Sequence, residues 1–366
     1  MDLPIAFRRL IVIEWPHMHT EQTLSETVLA VIDPRSFQLP YGLDPGDREK
    51  FEIPPLKDRH VCRLHNGGAL VGLPGGYLID RRWRVSPYSL TVANTKGVTP
   101  SLAWRARMKR LLTFRREHFE AAVWPTNRSH DAVYGWLVSA LPNLYLLTKH
   151  QIRLPVLLPQ RLYEITRIAK SIELFSGELD IRHLEYGRMA VVDNMWVVSP
   201  LSPPRSSNRI HNGEVLKETA DFIMRKSGVQ KGAEKEKLYV SRQHSRRRLE
   251  NAAEVEALIA QHGFREVFLE DLDFAEQVRL FANAGTILSV HGAGLANMIF
   301  CDSGTKIIEI TYSNFRRHFF DLATALDLDY RYINGTPQPD RRGTIRSTGN
   351  ISLDPQKLQL MLDALN

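Results

Sequence analysis

The stretch that decides the fold, residues 282–312, reads ANAGTILSVHGAGLANMIFCDSGTKIIEITY. An apolar run at 286–290 has the length of a buried strand, and it ends directly in the turn His291-Gly292-Ala293-Gly294. Residues 295–300 resemble the first turns of a helix, 302–304 have turn chemistry, and 306–311 form a second apolar run. The stretch therefore predicts strand, Gly-rich turn, helix and strand in that order.

The Gly-rich turn indicates a ligand site. Glycines between a strand and a helix let a ligand approach the backbone, and the N–H groups of the following helix can bind an anion, typically phosphate. Glu309 lies in the second strand, where a carboxylate needs a partner such as a pair of sugar hydroxyls. On its own the tetrapeptide favours a tight turn whose glycines serve packing, so the ligand-site interpretation depends on the surrounding sequence.

The sequence around this stretch repeats the same strand and helix pattern. A polar segment, 225–237, separates it from the rest and is read as a linker. Beyond the linker the expected order is β-α-β-α-β-α-β, with strands at 238–241 and 265–269, and capping boxes Asn251/Glu254 and Asp273/Glu276 starting the helices. Such alternation with short loops predicts a parallel sheet with right-handed crossovers.

Ligands of such sheets bind beyond the carboxyl ends of the strands. The residues expected there supply a cation, carboxylates, a histidine and the Gly-rich turn, which are the parts of a nucleoside diphosphate site. They are Ser241, Arg242, Glu270, Asp271, His291 to Leu295, and Glu309. Competing interpretations make His291 a core histidine, Arg242 a surface ion-pair partner, and Arg246 and Arg247 part of a solvated face.

The N-terminal half has a less regular pattern. We expect an apolar strand at 10–13, a small antiparallel β meander at about 60–95 broken by two Gly-Gly pairs, and a buried helix over 136–147 that Pro142 kinks or starts. Further strands are predicted at 154–158, 189–193 and 195–199, and an amphipathic helix at 161–174. The predicted domains are 1–228 and 229–366, with the last helix expected to pack back on the N-terminal domain.

Composition narrows the class of protein. The 366 residues are 43% hydrophobic and 24% charged, which fits a globular chain of two domains. A net charge of +7 suits a basic cleft for a phosphorylated ligand, and no nucleic-acid-binding motif accompanies it. The only cysteines, Cys62 and Cys301, form neither a disulfide framework nor a metal-ligand pattern. Without a signal peptide or a run near ~20 apolar residues, we expect a cytoplasmic protein, with peripheral contact to the inner face of the membrane as an option.

Several of these motifs together resemble glycosyltransferase family 61. They are Tyr239-Val-Ser-Arg242, Arg248 with Asn251, Phe274-x-Glu276-Gln277, His291-Gly-Ala-Gly-Leu295, Asn297, and Ile308-Glu309, all within about residues 237–335. Trp136-Leu137 and Leu141-Pro142-x-Leu144 look like the N-terminal helix motif of that family. The family includes animal protein O-linked N-acetylglucosaminyltransferases, plant xylan-modifying enzymes and bacterial relatives linked to capsular polysaccharide.

The resemblance implies a GT-B-type fold of two facing Rossmann-like domains, and transfer from a nucleotide sugar, UDP-linked by preference, to a glycan hydroxyl with inversion. No permanently bound cofactor is expected, and the reaction is expected to need no metal. The implied donor site consists of Ser241, Arg242, Arg248, Asn251, Glu270, Asp271, His291, Gly292, Ala293, Gly294, Leu295, Asn297 and Glu309. In it Arg242 and the amides of 292–295 neutralise the diphosphate, and Glu309 holds the ribose.

One departure concerns catalysis. Family members usually have His directly before the Trp of the N-terminal helix motif, and here that position is Gly135. His130 and Asp131, just upstream, are the candidates for the base that activates the acceptor. The alternative is a relative that has lost the chemistry and serves as a scaffold or partner subunit in glycan assembly. A dinucleotide-using enzyme is disfavoured because neither half has a G-x-G-x-x-G turn after its first strand.

Overall fold

The computed structural model describes residues 26–32, 40, 58–71, 77–79, 115–126, 130–198, 211–244, 247–312, 317–339, 343–345 and 349–365. The strand predicted at 10–13 lies outside these residues, as do residues 80–95 of the predicted meander and Arg246. The described chain is a mixed α/β fold with two sheets, one within residues 26–198 and one within 236–352.

The N-terminal sheet joins a parallel core to an antiparallel extension. Its strands are β1 (Glu26–Ile32), β2 (Asp58–Val71), β3 (Tyr77–Ile79), β4 (Arg115–Trp124), β5 (Val156–Pro159), β6 (Ile181–Leu184) and β7 (Arg188–Val198). Their order is β1-β2-β7-β4-β5-β6, with β3 paired to β2. Strands β7, β4, β5 and β6 are parallel, whereas β1 and β3 pair with β2, and β2 with β7, in antiparallel fashion.

The predicted meander is therefore wrong in two respects. Strand β2 runs unbroken through Gly67-Gly68, and it continues the main sheet through β7 instead of standing before the domain. The reason is that Gly68 pairs with Val192 in the β2–β7 ladder, where its backbone forms the ladder as any residue would. The two strands predicted at 189–193 and 195–199 are likewise the single strand β7.

The N-terminal helices are α1 (Val133–Gly135), α2 (Leu141–Lys149), α3 (Gln160–Tyr163), α4 (Thr166–Glu173) and α5 (Gly213–Lys226). A π-helical turn, Trp136–Ala140, joins α1 to α2, with the N–H of Leu141 bonded to the carbonyl of Trp136. Pro142 stands in the first turn of α2, so of the two predicted alternatives, a kink or a start, it marks where that helix starts. Trp136 is buried and donates its indole N–H to Ser171 Oγ over 2.7 Å, which confirms it as a core residue.

The C-terminal sheet has the predicted parallel arrangement. Its strands are β8 (Glu236–Val240), β9 (Arg265–Val267), β10 (Ala284–Val290), β11 (Lys306–Tyr312), β12 (Asp329–Pro337) and β13 (Ile351–Ser352). They lie in the order β13-β12-β11-β10-β8-β9, and every pair except β12–β13 is parallel. The strand order therefore reverses between β8 and β10, and the crevice at the carboxyl ends of these two strands is the topological switch point.

The helices of this half are α6 (Ala252–Gln261), α7 (Phe274–Ala282), α8 (His318–Ala325) and α9 (Pro355–Asp363), with 3-10 helices at Leu269–Asp271 and Ala293–Phe300. The capping box of Asp273 and Glu276 forms as predicted, and it starts α7. The box predicted for Asn251 does not, because the Asn251 carboxamide bonds both backbone groups of Leu353 instead. No described helix combines the length and the apolarity needed to cross a bilayer.

Within the part of the chain that the structure describes, the last helix, α9, packs on the C-terminal half, whereas the sequence suggested packing on the N-terminal half. Its apolar residues Leu358, Met361 and Leu362 complete a second core cluster with Val255 and Ile259 of α6. The two halves meet elsewhere, where α1, the π-helical turn and α5 pack against the 3-10 helix Ala293–Phe300. The helix motif of the N-terminal half is thus packed on the segment that follows the Gly-rich turn.

Candidate anion site at the topological switch point

The centre of the switch point is formed by Arg242, after β8, and Gly292, after β10. A Cβ atom built on Gly292 would lie 1.7 Å from Nη1 and 2.4 Å from Cζ of Arg242. Gly292 has an extended backbone, φ 179°, so the glycine is needed for space and not for its backbone angle. The absence of a side chain at Gly292 leaves room for the Arg242 guanidinium directly against the turn.

A second guanidinium lies beside the first. Arg247 donates from Nη1 to the carbonyl of His291 over 2.8 Å, and Arg242 Nε makes a long contact of 3.4 Å with the carbonyl of Arg247. Burial and, after it, the charge of Arg247 lower the pKa of Arg242, with Glu270 opposing them. Arginine stays charged in proteins, so the lowered pKa means that burial and the neighbouring cation destabilise the positive charge of Arg242. A bound anion would offset this destabilisation.

The Gly-rich turn adds backbone donors. Ala293 and Gly294 open the 3-10 helix, so their N–H groups precede its hydrogen-bond ladder. The N–H of Leu295 is bonded to the carbonyl of Gly292 over 3.0 Å, and the Leu295 side chain is buried. The expectation that the amides as far as Leu295 face the ligand is therefore wrong for Leu295, because the first turn of the helix already uses its N–H.

Gly294 faces the protein interior. A Cβ atom there would meet Leu269 Cδ1 at 2.8 Å, and Gly294 is not among the residues with positive φ. Asn297 is buried at 1% exposure and donates to the Gly294 carbonyl over 3.0 Å and to Gln277 Oε1 over 3.3 Å. Gln277 in turn donates to the Leu269 carbonyl over 2.8 Å. Asn297 thus ties the turn after β10 to the loop after β9, and the Asn297 side chain and the Cβ direction of Gly294 both face protein, while the Gly294 N–H stays part of the turn.

Glu309 is also enclosed by protein. It is 0% exposed, one carboxylate oxygen contacts His291 Nδ1, and the other accepts from the hydroxyl of Tyr330 over 2.5 Å. Burial and the nearby carboxylate raise the pKa of Tyr330 well above its ordinary value, so the phenol stays a donor. The expectation that Glu309 holds the ribose is wrong in this geometry, because both of its oxygens are occupied. Its effect on the site passes through His291.

The other predicted donor residues lie around the same edge. Ser241 is buried at the carboxyl end of β8, with its N–H bonded to the Val267 carbonyl over 3.0 Å. Glu270 and Asp271 form an exposed 3-10 turn after β9. Arg248 is exposed and pairs through its backbone with Asn350 and Ile351. Together with Asn251, it attaches the C-terminal segment to the sheet.

The N-terminal half faces this site through Tyr134. Its hydroxyl donates to the His318 carbonyl over 3.1 Å and lies 3.2 Å from Nε2 of buried His211. Its ring is 5.5 Å from that of Phe319, which is 5.2 Å from the ring of His291. These aromatic contacts connect the residue next to Gly135 with the histidine of the Gly-rich turn.

The two candidate bases precede this contact in the chain. His130 is buried at 1% exposure, and Asp131 is partly buried two residues before α1, which packs on the 3-10 helix Ala293–Phe300. Burial raises the pKa of Asp131, and a hydrogen bond to its own backbone and the charge of Arg161 oppose the shift only partly. A carboxylate with a raised pKa is suited to accept a proton.

Sequence reasoning missed Arg247, Tyr134, His211 and Phe319. Arg247 was assigned to a solvated face, and nothing in its charge run distinguished it from its neighbours. Tyr134 had one usable signal, its place directly before Gly135 in the helix motif. His211 and Phe319 come from segments without a recognisable motif, so only the packing of the two halves brings them to the site.

The region that contains this site is similar to known glycosyltransferases. Residues 133–308 match the model of the family Glycosyltransferase 61. The protein O-linked-mannose β-1,4-N-acetylglucosaminyltransferase 2 of Canis lupus familiaris is 33% identical over 146 residues, 37% of this chain and 25% of that protein. The enzyme of the same name from Homo sapiens is 32% identical over 121 residues, 31% of this chain and 20% of that protein. The chain thus spans about a quarter or less of the length of these relatives.

A solved structure was also found, that of the dodecameric iron-containing heptosyltransferase TibC in complex with ADP-D-β-D-heptose, at 11% identity. It covers 71% of this chain and 77% of that chain, but its TM-score of 0.30 is too low to support an argument. The family match includes α1, the residues of the switch point, and β11 as far as Ile308, so it ends one residue before Glu309. The resemblance to glycosyltransferase family 61 seen in the sequence is confirmed by the match of residues 133–308 to the model of that family.

Proposed function

We propose that the protein is an inverting glycosyltransferase of GT-B-type arrangement that moves a sugar from a nucleotide-sugar donor, UDP-linked by preference, to a hydroxyl of a glycan acceptor. Capsular or cell-surface polysaccharide synthesis is the process we favour. The observation that carries the proposal is the pair of guanidinium groups, Arg242 and Arg247, which converge on the Gly292 turn at the switch point. Two neighbouring cations beside orphan backbone N–H groups are suited to a diphosphate.

The same groups would act in the chemical step. As the bond between the sugar and the diphosphate breaks, negative charge develops on the leaving diphosphate. Arg242, Arg247 and the N–H groups of Ala293 and Gly294 lie where they can neutralise that charge without moving. The site needs no metal ion in this scheme, because fixed cations and the helix N-terminus supply the positive field.

The acceptor hydroxyl must lose a proton as it attacks the anomeric carbon from the opposite side. Asp131 is the base we favour, with His130 as the alternative, because its raised pKa is the property that a base needs. The Tyr134, Phe319 and His291 contacts hold this part of the N-terminal half against the Gly-rich turn. In this scheme the configuration inverts, because the acceptor oxygen attacks the face of the anomeric carbon opposite to the leaving diphosphate.

The experiment is a panel of nucleotide sugars incubated with the purified protein, with and without glycan acceptors. UDP-N-acetylglucosamine comes first, because the relatives are named as N-acetylglucosaminyltransferases. We expect slow release of the nucleoside diphosphate from one donor and loss of that release in Arg242→Ala. Arg265→Ala is the matched control, because Arg265 is exposed and paired with Glu236 over 2.6 Å. It begins β9, so it lies at the amino end of the strand, opposite the carboxyl end where the site lies.

Three results would contradict the proposal. Tight nucleotide binding with no turnover for any donor and acceptor would favour the scaffold or partner subunit. If the protein bound no nucleotide sugar and no nucleoside diphosphate, the donor site itself would be wrong. Equal loss of activity in Arg242→Ala and Arg265→Ala would show that the effect is not specific to the turn.

A further inference from the structure

His244 and Phe268 form a stacked aromatic pair at the carboxyl edge of the C-terminal sheet. Their ring centroids are 4.5 Å apart and their planes differ by 15°. His244 is four residues beyond β8, and Phe268 directly follows β9, so the pair bridges two neighbouring parallel strands. The His244 side chain is 60% exposed, so most of its surface faces solvent while Phe268 supports it from behind.

An exposed imidazole held flat on another ring has no evident role in folding. It buries little apolar area, and its polar partner is the exposed carboxylate of Glu270, with Oε1 3.7 Å from Nδ1. Offset-stacked aromatic pairs are favourable by themselves, but a single exposed pair adds only a small stabilisation. The geometry instead resembles a prepared surface on which another flat ring could lie.

The pair lies next to the proposed diphosphate site. Glu270 contacts His244 and also attracts the Arg242 guanidinium electrostatically. From the Gly292 turn outward, the functional groups therefore follow in the order of guanidinium, carboxylate and aromatic platform. This is the order of charge and shape in a nucleoside diphosphate, with a diphosphate, a ribose with hydroxyls and a flat base.

We propose that the His244–Phe268 pair is the platform on which the nucleobase of a nucleoside diphosphate stacks. The inference rests on the proposed function, since it assigns the base end of the ligand whose diphosphate lies at Arg242. A stacking platform accepts any base, because every base has a π face. The platform therefore supplies affinity for the nucleoside, and it leaves the choice among bases to other groups.

The test compares ligands that have a base with one that has none. UDP, GDP, ADP and CDP are titrated by calorimetry against wild type, His244→Ala and His244→Phe, with inorganic pyrophosphate as the base-free probe. His244→Ala should weaken every nucleoside diphosphate that binds by about tenfold or more, the scale of losing one base–aromatic stack. Pyrophosphate affinity should not change. His244→Phe keeps a flat ring and should stay within about threefold of wild type.

The matched control is His118→Ala. His118 has the same 60% side-chain exposure and also pairs with a carboxylate, Asp193, but it belongs to β4 in the N-terminal sheet. This variant should bind all ligands as wild type does. As a second readout, His244→Trp should show fluorescence quenching, relative to wild type, on addition of nucleoside diphosphate but not of pyrophosphate.

The outcomes separate this inference from the proposed function. If wild type binds nucleoside diphosphates and Arg242→Ala weakens them, but His244→Ala does not, the platform is wrong and the donor site stands. Equal weakening of nucleotides and pyrophosphate by His244→Ala also rejects the platform, because the residue then serves the anion. If wild type binds none of the four nucleotides, both proposals are wrong.

Discussion

Arg242 and Gly292 depend on each other, because the guanidinium of one occupies the space that a side chain on the other would fill. Gly292→Ala should therefore displace the guanidinium and weaken nucleoside diphosphate binding nearly as much as Arg242→Ala does. The thermal melting temperature should change little, because the displaced group is the end of a flexible side chain and Gly292 has no positive φ. Calorimetric titration and thermal melting of the same variant measure both effects.

The matched control for this variant is Gly294→Ala, two residues away. Its Cβ would press on Leu269 Cδ1 and not on Arg242, so it should lower the melting temperature slightly and leave nucleotide affinity near that of wild type. If Gly292→Ala bound nucleotide as wild type does, Arg242 would not need its observed position.

Gly294→Val tests the inward face of the turn. The sequence alone suggests that a side chain at Gly294 would enter the space of the phosphate and cost little stability. The structure reverses this expectation, because the side chain would meet Leu269, with Val240 Cγ1 at 3.9 Å behind it. We expect a loss of about 1–3 kcal/mol in the free energy of unfolding, the usual cost of overpacking a core. Urea unfolding measures it, and a fully stable variant that cannot bind nucleotide would restore the earlier interpretation.

The two glycines show what the sequence could and could not predict. The order of strand, turn and helix follows from an apolar run that ends in glycines, so the position of the site at the carboxyl edge was predictable. Which glycine faces Arg242 and which faces Leu269 depends on the path of neighbouring loops. That path is set by the Asn297–Gln277 hydrogen bonds, and single-sequence patterns do not carry such information.

Glu309 is a second example of what the sequence could and could not predict. The sequence correctly indicated that a carboxylate inside an apolar strand needs a partner. It could not indicate that the partners are His291 on the preceding strand's turn and Tyr330 on the following strand, because pairing depends on the register of three parallel strands. The antiparallel extension of the N-terminal sheet escaped prediction for a similar reason, since the partner of β2 is distant in sequence.

Arg242→Ala should weaken the binding of nucleoside diphosphate by about 2–4 kcal/mol, the scale of losing one partner of a buried, charged hydrogen bond. Arg242→Lys should recover only part of the loss, because an ammonium group cannot bind two phosphate oxygens at once. Calorimetry with UDP and GDP measures both variants. Unchanged affinity of Arg242→Ala for every nucleotide tested would remove this residue from the site.

The buried Glu309 carboxylate should matter for stability first. Glu309→Ala leaves the partner groups of His291 and Tyr330 without their acceptor in a buried position. We expect a loss of about 1–3 kcal/mol for each of the two buried hydrogen-bonding groups left without a partner. Tyr330→Phe removes a single hydrogen bond and should cost about 1–3 kcal/mol.

Urea unfolding of both variants provides the measurement, and nucleotide titration provides the control. Tyr330→Phe should bind nucleoside diphosphate as wild type does, because Tyr330 is buried behind Glu309. Loss of nucleotide affinity in a stable Tyr330→Phe protein would show that this network reaches the ligand more directly than the contacts indicate.

The pH dependence of glycosyl transfer tests the role of Asp131. A base must be deprotonated, so kcat/KM should fall as the pH decreases through the pKa of Asp131. Burial raises that pKa above its ordinary value of 3.8, so the fall should begin at a higher pH than an exposed aspartate would give. Asp131→Asn should lose most activity and the acidic limb of the profile together, and His130→Gln should keep the limb.

The pH dependence of the stability of the fold gives a second, independent test of Asp131. Because the folded-state pKa of Asp131 is raised, folding favours the protonated form, and the cost of its charge appears as the pH rises through the unfolded and then the folded pKa. Asp131→Asn carries no charge at any pH, so at neutral pH it should melt at the same or a higher temperature than wild type. The exposed Asp221→Asn is the control and should change neither activity nor the pH profile. An inactive Asp131→Asn that also melts well below wild type at neutral pH would mean that Asp131 holds the fold, and His130 would then be the base to test.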